Sequence, residues 1–235
     1  MGKILKIASI ASEVAPFSKT GGLADVARSL PKALSRLGHK VIVITPLYNQ
    51  IIDKTAFKLK EIYHNILLDI GGQTVSVNYW QGYLMDGLPI YFVEQKDYFG
   101  LRPEIYGFPN DNTRFYLFDV ASLRLLELLQ FQPDIIHCHD WQSGLIPQLL
   151  NTQFKHSPAL RGARTVFTIH NLIFQFGHNW WETPLEKKDF GIKKLPAFND
   201  PDLEYINFVK RAILNADIIN TVSEQYREEI MTRHF

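Results

Sequence analysis

The stretch FSKTGGLADVARSLPKALSRLGHKV, residues 17–41, decides the fold. From Gly22 onward, Leu23, Val26, Ala27, Leu30, Leu34 and Leu37 recur at intervals of three and four, which predicts a helix with one apolar stripe able to pack on a sheet. Gly38 supplies a stop, and Pro31, with no N–H to donate, predicts a kink or a fresh turn. Residues 3–10 (KILKIASI) and 41–45 (VIVIT) flank this helix as short, apolar, isoleucine-rich runs. Strand, helix, strand is a βαβ unit, and it demands a parallel sheet.

The pattern extends outward from there. Residues 58–95 hold the alternating runs ILLDI, TVSVNYW and LPIYFVEQ, with Gly71-Gly72 and Asp86-Gly87 at turn positions, so an antiparallel meander joins the parallel sheet. Residues 98–112 are rich in turn formers and aromatics and read as a long surface loop. Phe115, Phe118, Ser122, Leu125, Leu126 and Leu129 then mark an amphipathic helix. Beyond Pro133 the alternation resumes: DIIHCH as strand, 141–150 as helix, RTVFTIHN as strand, a helix around 201–215, DIINTV as strand, and a helix capped by Ser223. With no repeat, low-complexity tract or linker, residues 1–235 read as one α/β domain, a doubly wound Rossmann-like sheet with a meander insertion.

Composition narrows the function. Lys+Arg 25 against Asp+Glu 24 leaves no broad basic surface, so no nucleic-acid partner is expected and any phosphate must be held locally. The apolar start is interrupted by Glu13 and Pro16, too early for a signal peptide or a membrane span. One cysteine, Cys138, excludes an internal disulfide and fits a reducing compartment: cytoplasm is expected, or a plastid for a plant protein, although no transit peptide is seen.

Open parallel sheets bind ligands beyond the carboxyl ends of their strands, and three strands here end in polar groups. The first runs into Ser18, Lys19, Thr20, Gly21 and Gly22. Unpaired N–H groups at a helix start favour an anion, glycine lets it come close, and Lys19 adds charge. The plain alternative is that Thr20 caps the helix, the glycines make a tight turn and Lys19 is solvated. The stretch is neither a P-loop nor G-x-G-x-x-G. Another strand ends at His137, His139, Asp140 and Trp141. His137 and His139 share a face, and with Asp140 and His170 could form a zinc site; against this, Trp141 stands where a metallo-hydrolase motif needs Asp. Core hydrogen bonding for His137 and helix capping for Asp140 are the structural alternatives. The last of the three ends at His170-Asn171, a turn or a holder for a neutral polar ligand such as a sugar. Trp141, Trp180 and Trp181 are core by default, or platforms for sugar rings.

Taken in order, SEVAPFSKTGGLADV, LPKALSRLGHKVIVITPLY, DIIHCHDWQSGLIP, TVFTIHNL and ADIINTVSEQYREEI resemble the N-terminal domain of the bacterial glycogen synthase and plant starch synthase family, retaining GT-B glucosyltransferases. The resemblance implies transfer of glucose from ADP-glucose to the 4-hydroxyl at the non-reducing end of an α-1,4-glucan, with no cofactor and no metal. It implies that Lys19, Gly21 and Gly22 face the donor diphosphate, with Asp25 and Asn171 also on the donor side. His170 and Asp140 are the implied catalytic residues, and Tyr106 and Trp141 the implied acceptor contacts. It also implies a missing nucleotide-binding C-terminal domain, without which the chain should not turn over. Two local departures stand out: Asn110-Asp111 where the family reads Asp-Asn before the helix, and QFG, residues 175–177, where it reads Gln-Gly. Two rival readings are a non-catalytic glucan-binding or regulatory module and a metal-dependent hydrolase built on His137, His139, Asp140 and His170.

Overall fold

The computed structural model describes residues 3–232. The terminal residues of the expected domain, Met1, Gly2 and 233–235, lie outside the described residues. One eight-stranded sheet carries the fold, in the order β3-β4-β5-β2-β1-β6-β7-β8. Its strands are β1 (Lys6–Ile10), β2 (Lys40–Pro46), β3 (Lys60–Ile70), β4 (Gln73–Met85), β5 (Leu88–Glu94), β6 (Ile135–His139), β7 (Arg164–Ile169) and β8 (Ile218–Thr221). Strands β5, β2, β1, β6, β7 and β8 pair in parallel, whereas β3, β4 and β5 form the antiparallel meander. β2 is buried from Val41 to Pro46, as a strand covered on both faces must be. The helices are α1 (Gly22–Arg36), α2 (Asp111–Leu128), α3 (Ile146–Asn151), α4 (Phe208–Asn215) and α5 (Glu224–Ile230). The chain leaves β1 for β2 on one side and later returns to β6 on the other, so the strand order reverses at β1 and opens a crevice between the ends of β1 and β6.

Local chemistry explains the joins. After α1, the Gly38 amide reaches the Ser35 carbonyl at 2.9 Å and the His39 amide the Leu34 carbonyl at 3.2 Å. Gly38 takes φ +92°, which completes a Schellman stop. Gly71 and Gly72, at φ +54° and +80°, close the two-residue turn between β3 and β4. Ser223 caps α5 through the Tyr226 amide at 3.0 Å.

Several expectations are corrected. The first strand begins at Lys6 rather than Lys3, whose amine instead meets Asp134 at 2.7 Å. α1 runs through Pro31 as one helix, so no separate helix begins there; Pro31 is buried with Leu23, Ala24 and Ala27, while Leu37 lies exposed beyond the helix. α2 is buried nearly all round, Asp111, Asn112, Arg114 and Asp119 included, so it is a central helix rather than an amphipathic one. Residues 98–112 are only partly surface. The buried Arg114 guanidinium donates to the carbonyls of Tyr98 at 2.7 Å and Ile105 at 3.1 Å, drawing the segment inward with Phe99 and Ile105. Both expected helices at 141–150 and 201–215 divide. A 3-10 turn, Trp141–Ser143, precedes α3, and another, Pro201–Tyr205, precedes α4. Between Trp141–Ser143 and α3, Gly144 lies so close to α4 that a Cβ there would stand 2.7 Å from the Phe208 carbonyl oxygen.

Candidate functional site

A cleft of about 800 Å³ opens where the strand order reverses. It is lined by Thr20, Gly21 and Gly22 after β1, Asp140 and Trp141 after β6, His170 and Asn171 after β7, and Tyr106 from the segment before α2. The three strand ends converge there. A smaller hollow of about 480 Å³ beside Asp69, Arg124 and Glu127 lies away from those ends. The cleft therefore defines the site.

At the start of α1, Gly21 is the N-cap in extended backbone, with no side-chain cap, so Thr20 does not cap the helix and the glycines make no left-handed turn. Glu13 organises the loop. Its carboxylate accepts the Thr20 amide at 2.5 Å, the Thr20 hydroxyl at 2.8 Å and the Gly21 amide at 3.3 Å. Burial holds the Glu13 pKa above the usual carboxylate value, against the pull of those bonds. The Gly21 amide is thus already engaged by an internal anion. A Cβ at Gly22 would meet nothing within 4 Å, so the protein interior gives no steric reason for glycine there. Lys19 and Asp25 pair with each other at 2.7 Å, each about half exposed, and neither lines the cleft. Such an exposed pair contributes little and can exchange partners readily.

Asp140 sits at φ 62°, ψ −178°, a backbone region that side chains other than glycine rarely adopt. It is buried, and its Oδ1 meets no hydrogen-bond partner. Burial lifts its pKa to about 7, against the nearby amides of Trp141, His170 and Asn171 and reinforced by Glu13. Its side chain makes no cap bond to the turn that follows, which removes the capping alternative. Trp141 packs edge-on against Phe115 and Phe208, at 5.1 Å and 6.0 Å between ring centres, and is 4% exposed; it belongs to the core and offers the cleft little surface. Tyr106 points its hydroxyl to Ser12 Oγ at 2.7 Å. The Asn171 side chain accepts the Ile173 amide at 3.1 Å, a local turn that leaves its amide nitrogen free for other bonds.

Behind the cleft the histidines form a stack. His137 and His139 lie 4.0 Å apart and nearly parallel, and His139 Nδ1 meets His170 Nε2 at 3.1 Å. His137 Nε2 meets Thr168 Oγ1 at 2.7 Å, the core bond expected of a strand histidine. Among the described residues no group of three or more His, Cys, Asp or Glu is arranged to hold a metal ion, so the hydrolase reading has no assembled ligand set.

Glu13, Asp111 and Phe176 line the cleft and were missed in the sequence, where Glu13 reads only as an interruption of the first apolar run. The two departures from the family pattern meet in space: a Cβ at Gly177 would stand 3.0 Å from Asp111 Cβ, and the Gly177 amide donates to Asn112 Oδ1 at 2.8 Å. Read one residue on, Asp111-Asn112 supplies an Asp-Asn pair in the first turn of α2. Asp111 accepts the Gly107 amide at 2.8 Å and so holds the segment that carries Tyr106.

Comparison with known proteins agrees with this architecture. Residues 6–235 match the starch synthase catalytic domain family. A glycogen synthase of Moorella thermoacetica is 39% identical over 241 residues, covering 100% of this chain and 47% of that protein. Glycogen synthase 2 of Geobacter sulfurreducens is 40% identical over 238 residues, covering 97% and 47%. The solved catalytic domain of starch synthase IV from Arabidopsis thaliana, bound to ADP and acarbose, superposes with a TM-score of 0.80 at 31% identity, over 99% of this chain and 48% of that one. Fold and cleft thus define a doubly wound glycosyltransferase domain of the GT-B class. The chain belongs to the glycogen and starch synthase family, as its ordered motifs imply. It spans about half the length of the curated relatives it matches. No helix of the described residues is long and apolar enough to cross a membrane.

Proposed function

We propose that this chain is the N-terminal, acceptor-side domain of an enzyme that moves glucose from ADP-glucose to the non-reducing 4-hydroxyl of an α-1,4-glucan, with retention of configuration. The observation that carries the reading is the convergence of the open α1 N-terminus, Asp140 and His170 on one cleft at the switch point of the sheet. In this reading the donor diphosphate lies over Gly22, where the side-chain-free backbone leaves room for it, and Lys19 leaves Asp25 to meet it. Asn171 and His170 hold the glucosyl unit, and Tyr106 stands on the acceptor side. As the bond from the sugar C1 to the diphosphate breaks, negative charge on the phosphate is stabilised by Lys19 and the helix N-terminus. The acceptor oxygen attacks from the same face, and its proton passes to the departing phosphate oxygen. No cofactor and no metal are called for, and cytoplasm or plastid is the proposed compartment.

The relatives' additional length supports a second domain that closes over the cleft. Without it the groups named here stand in open water, where their electrostatic effect is weak. The test is glucose transfer from ADP-glucose to a maltooligosaccharide by this chain alone and by a chain extended through the next domain. Activity in the extended chain only is expected. Robust turnover by this chain alone overturns the half-site reading, and inactivity of both folded chains favours a glucan-binding module.

A further inference from the structure

His139 is fully buried, lines no part of the cleft, and reaches His170 by one ring nitrogen. Its other nitrogen, Nε2, is buried with no partner. A neutral imidazole carries one N–H, and the two tautomers leave different groups stranded. With the proton on Nε2, an N–H donor would be orphaned in the core; with the proton on Nδ1, only a lone pair is. Buried orphan donors are the rarer and costlier of the two. The proton therefore belongs on Nδ1, and His139 donates to His170 Nε2.

Thr168 fixes the other side of the stack. Its hydroxyl donates to Asn220 Oδ1 at 2.6 Å, so toward His137 it can only accept, and His137 carries its proton on Nε2. Burial keeps all three rings neutral near pH 7: His137 and His170 titrate at about 4, and His139 well below its ordinary value.

We propose that His139 is a positioning residue that locks His170 in the Nδ1–H form, so that the cleft is offered a hydrogen-bond donor instead of a lone pair. Free histidine in water prefers the opposite, Nε2–H, tautomer. A fixed donor suits an electron-rich oxygen of the ligand, such as a sugar hydroxyl, and only that identification rests on the synthase reading.

The experiment is long-range proton–nitrogen correlation NMR on the chain with 15N-labelled histidine at pH 7.5, with His170 assigned by loss of its signals in His170→Gln. His170 should show a protonated Nδ1 and an unprotonated Nε2. In His139→Phe, which cannot donate, His170 should revert to Nε2–H; His139→Gln, whose amide can donate, should restore Nδ1–H. An Nε2–H signature for His170 in the unsubstituted chain overturns the proposal, as does Nδ1–H persisting in His139→Phe. Should His139→Phe fail to fold, the unsubstituted spectrum still decides. No substrate is needed, so an inactive enzyme and a wrong tautomer are separate results.

Discussion

Asp140 concentrates several local costs to folding. Its backbone sits where glycine belongs, its carboxyl is buried, and one oxygen is left unpaired. Strain of this kind costs about 1–3 kcal/mol and is retained where the geometry is used. The carboxyl pKa rises from 3.8 unfolded to about 7 folded, so between those values the native state holds a proton that the unfolded state has released. Stability from this group is complete below the unfolded value and is lost as pH rises through the folded one. Asp140→Asn removes the dependence. Its stability advantage should grow by on the order of 4 kcal/mol between pH 4 and pH 7.5, at about 1.4 kcal/mol per unit, as read from urea unfolding at both. A constant difference across that range would show that Asp140 ionises freely in the fold. The position of Asp140 was legible, since it follows an apolar strand; its backbone was not, because nothing in HCHDWQ marks Asp140 as glycine-like. Glu13 was illegible for another reason: its partners Thr20 and Gly21 are claimed only once the loop has closed.

At the scale of the element, α1 separates a glycine that the fold requires from one that it does not. Gly38 is required by its positive φ, whereas a Cβ at Gly22 meets open space. Gly22→Ala should therefore leave the fold intact, with a melting transition unchanged or raised by the equivalent of about 0.5–1 kcal/mol. In the extended enzyme the same substitution should weaken ADP-glucose binding several-fold by calorimetry. Undiminished affinity would remove the diphosphate from this helix end. The stop of α1 and the turn between β3 and β4 were readable because they obey local rules. α2 was misread because its polar residues are buried: Asp111 pairs with Arg114, and Asn112 donates to the carbonyls of Leu203 and Ile206 at 2.8 Å and 2.9 Å. Those partners lie some ninety residues away, beyond the reach of periodicity.

Across the whole molecule, the parallel sheet and its meander follow from short apolar periods, whereas the long segment between β7 and α4 follows from buried polar ties. Arg211 grips Asp189 with Nε at 2.7 Å and its terminal nitrogen at 3.0 Å, both side chains essentially buried. Asp189 also accepts the Asn207 amide that leads into α4. Removing one member of such a pair strands the other charge, so Asp189→Ala should cost about 3–5 kcal/mol, measured by chemical denaturation. A loss below 1 kcal/mol would mean the segment is held by its aromatic contacts instead. No pattern in residues 171–207 announces this pairing, since Asp189 and Arg211 stand 22 positions apart in the chain.

Among the carboxyl groups that line the cleft, finally, Glu13 and Asp140 have raised pKa values. Under the proposed function, an incoming phosphate would add negative charge beside them and raise both further. Ligation thus becomes a proton-consuming event: the extended enzyme should take up protons from the medium as it binds ADP, and its affinity should weaken as pH climbs past 7. Calorimetry in two buffers of different ionisation heat would expose the exchange, and identical heats would mean that the nucleotide arrives without disturbing either acid. Where the heats differ, the domain acts as a small chemical capacitor, drawing in protons as a highly charged guest arrives and so offsetting part of the charge that guest brings.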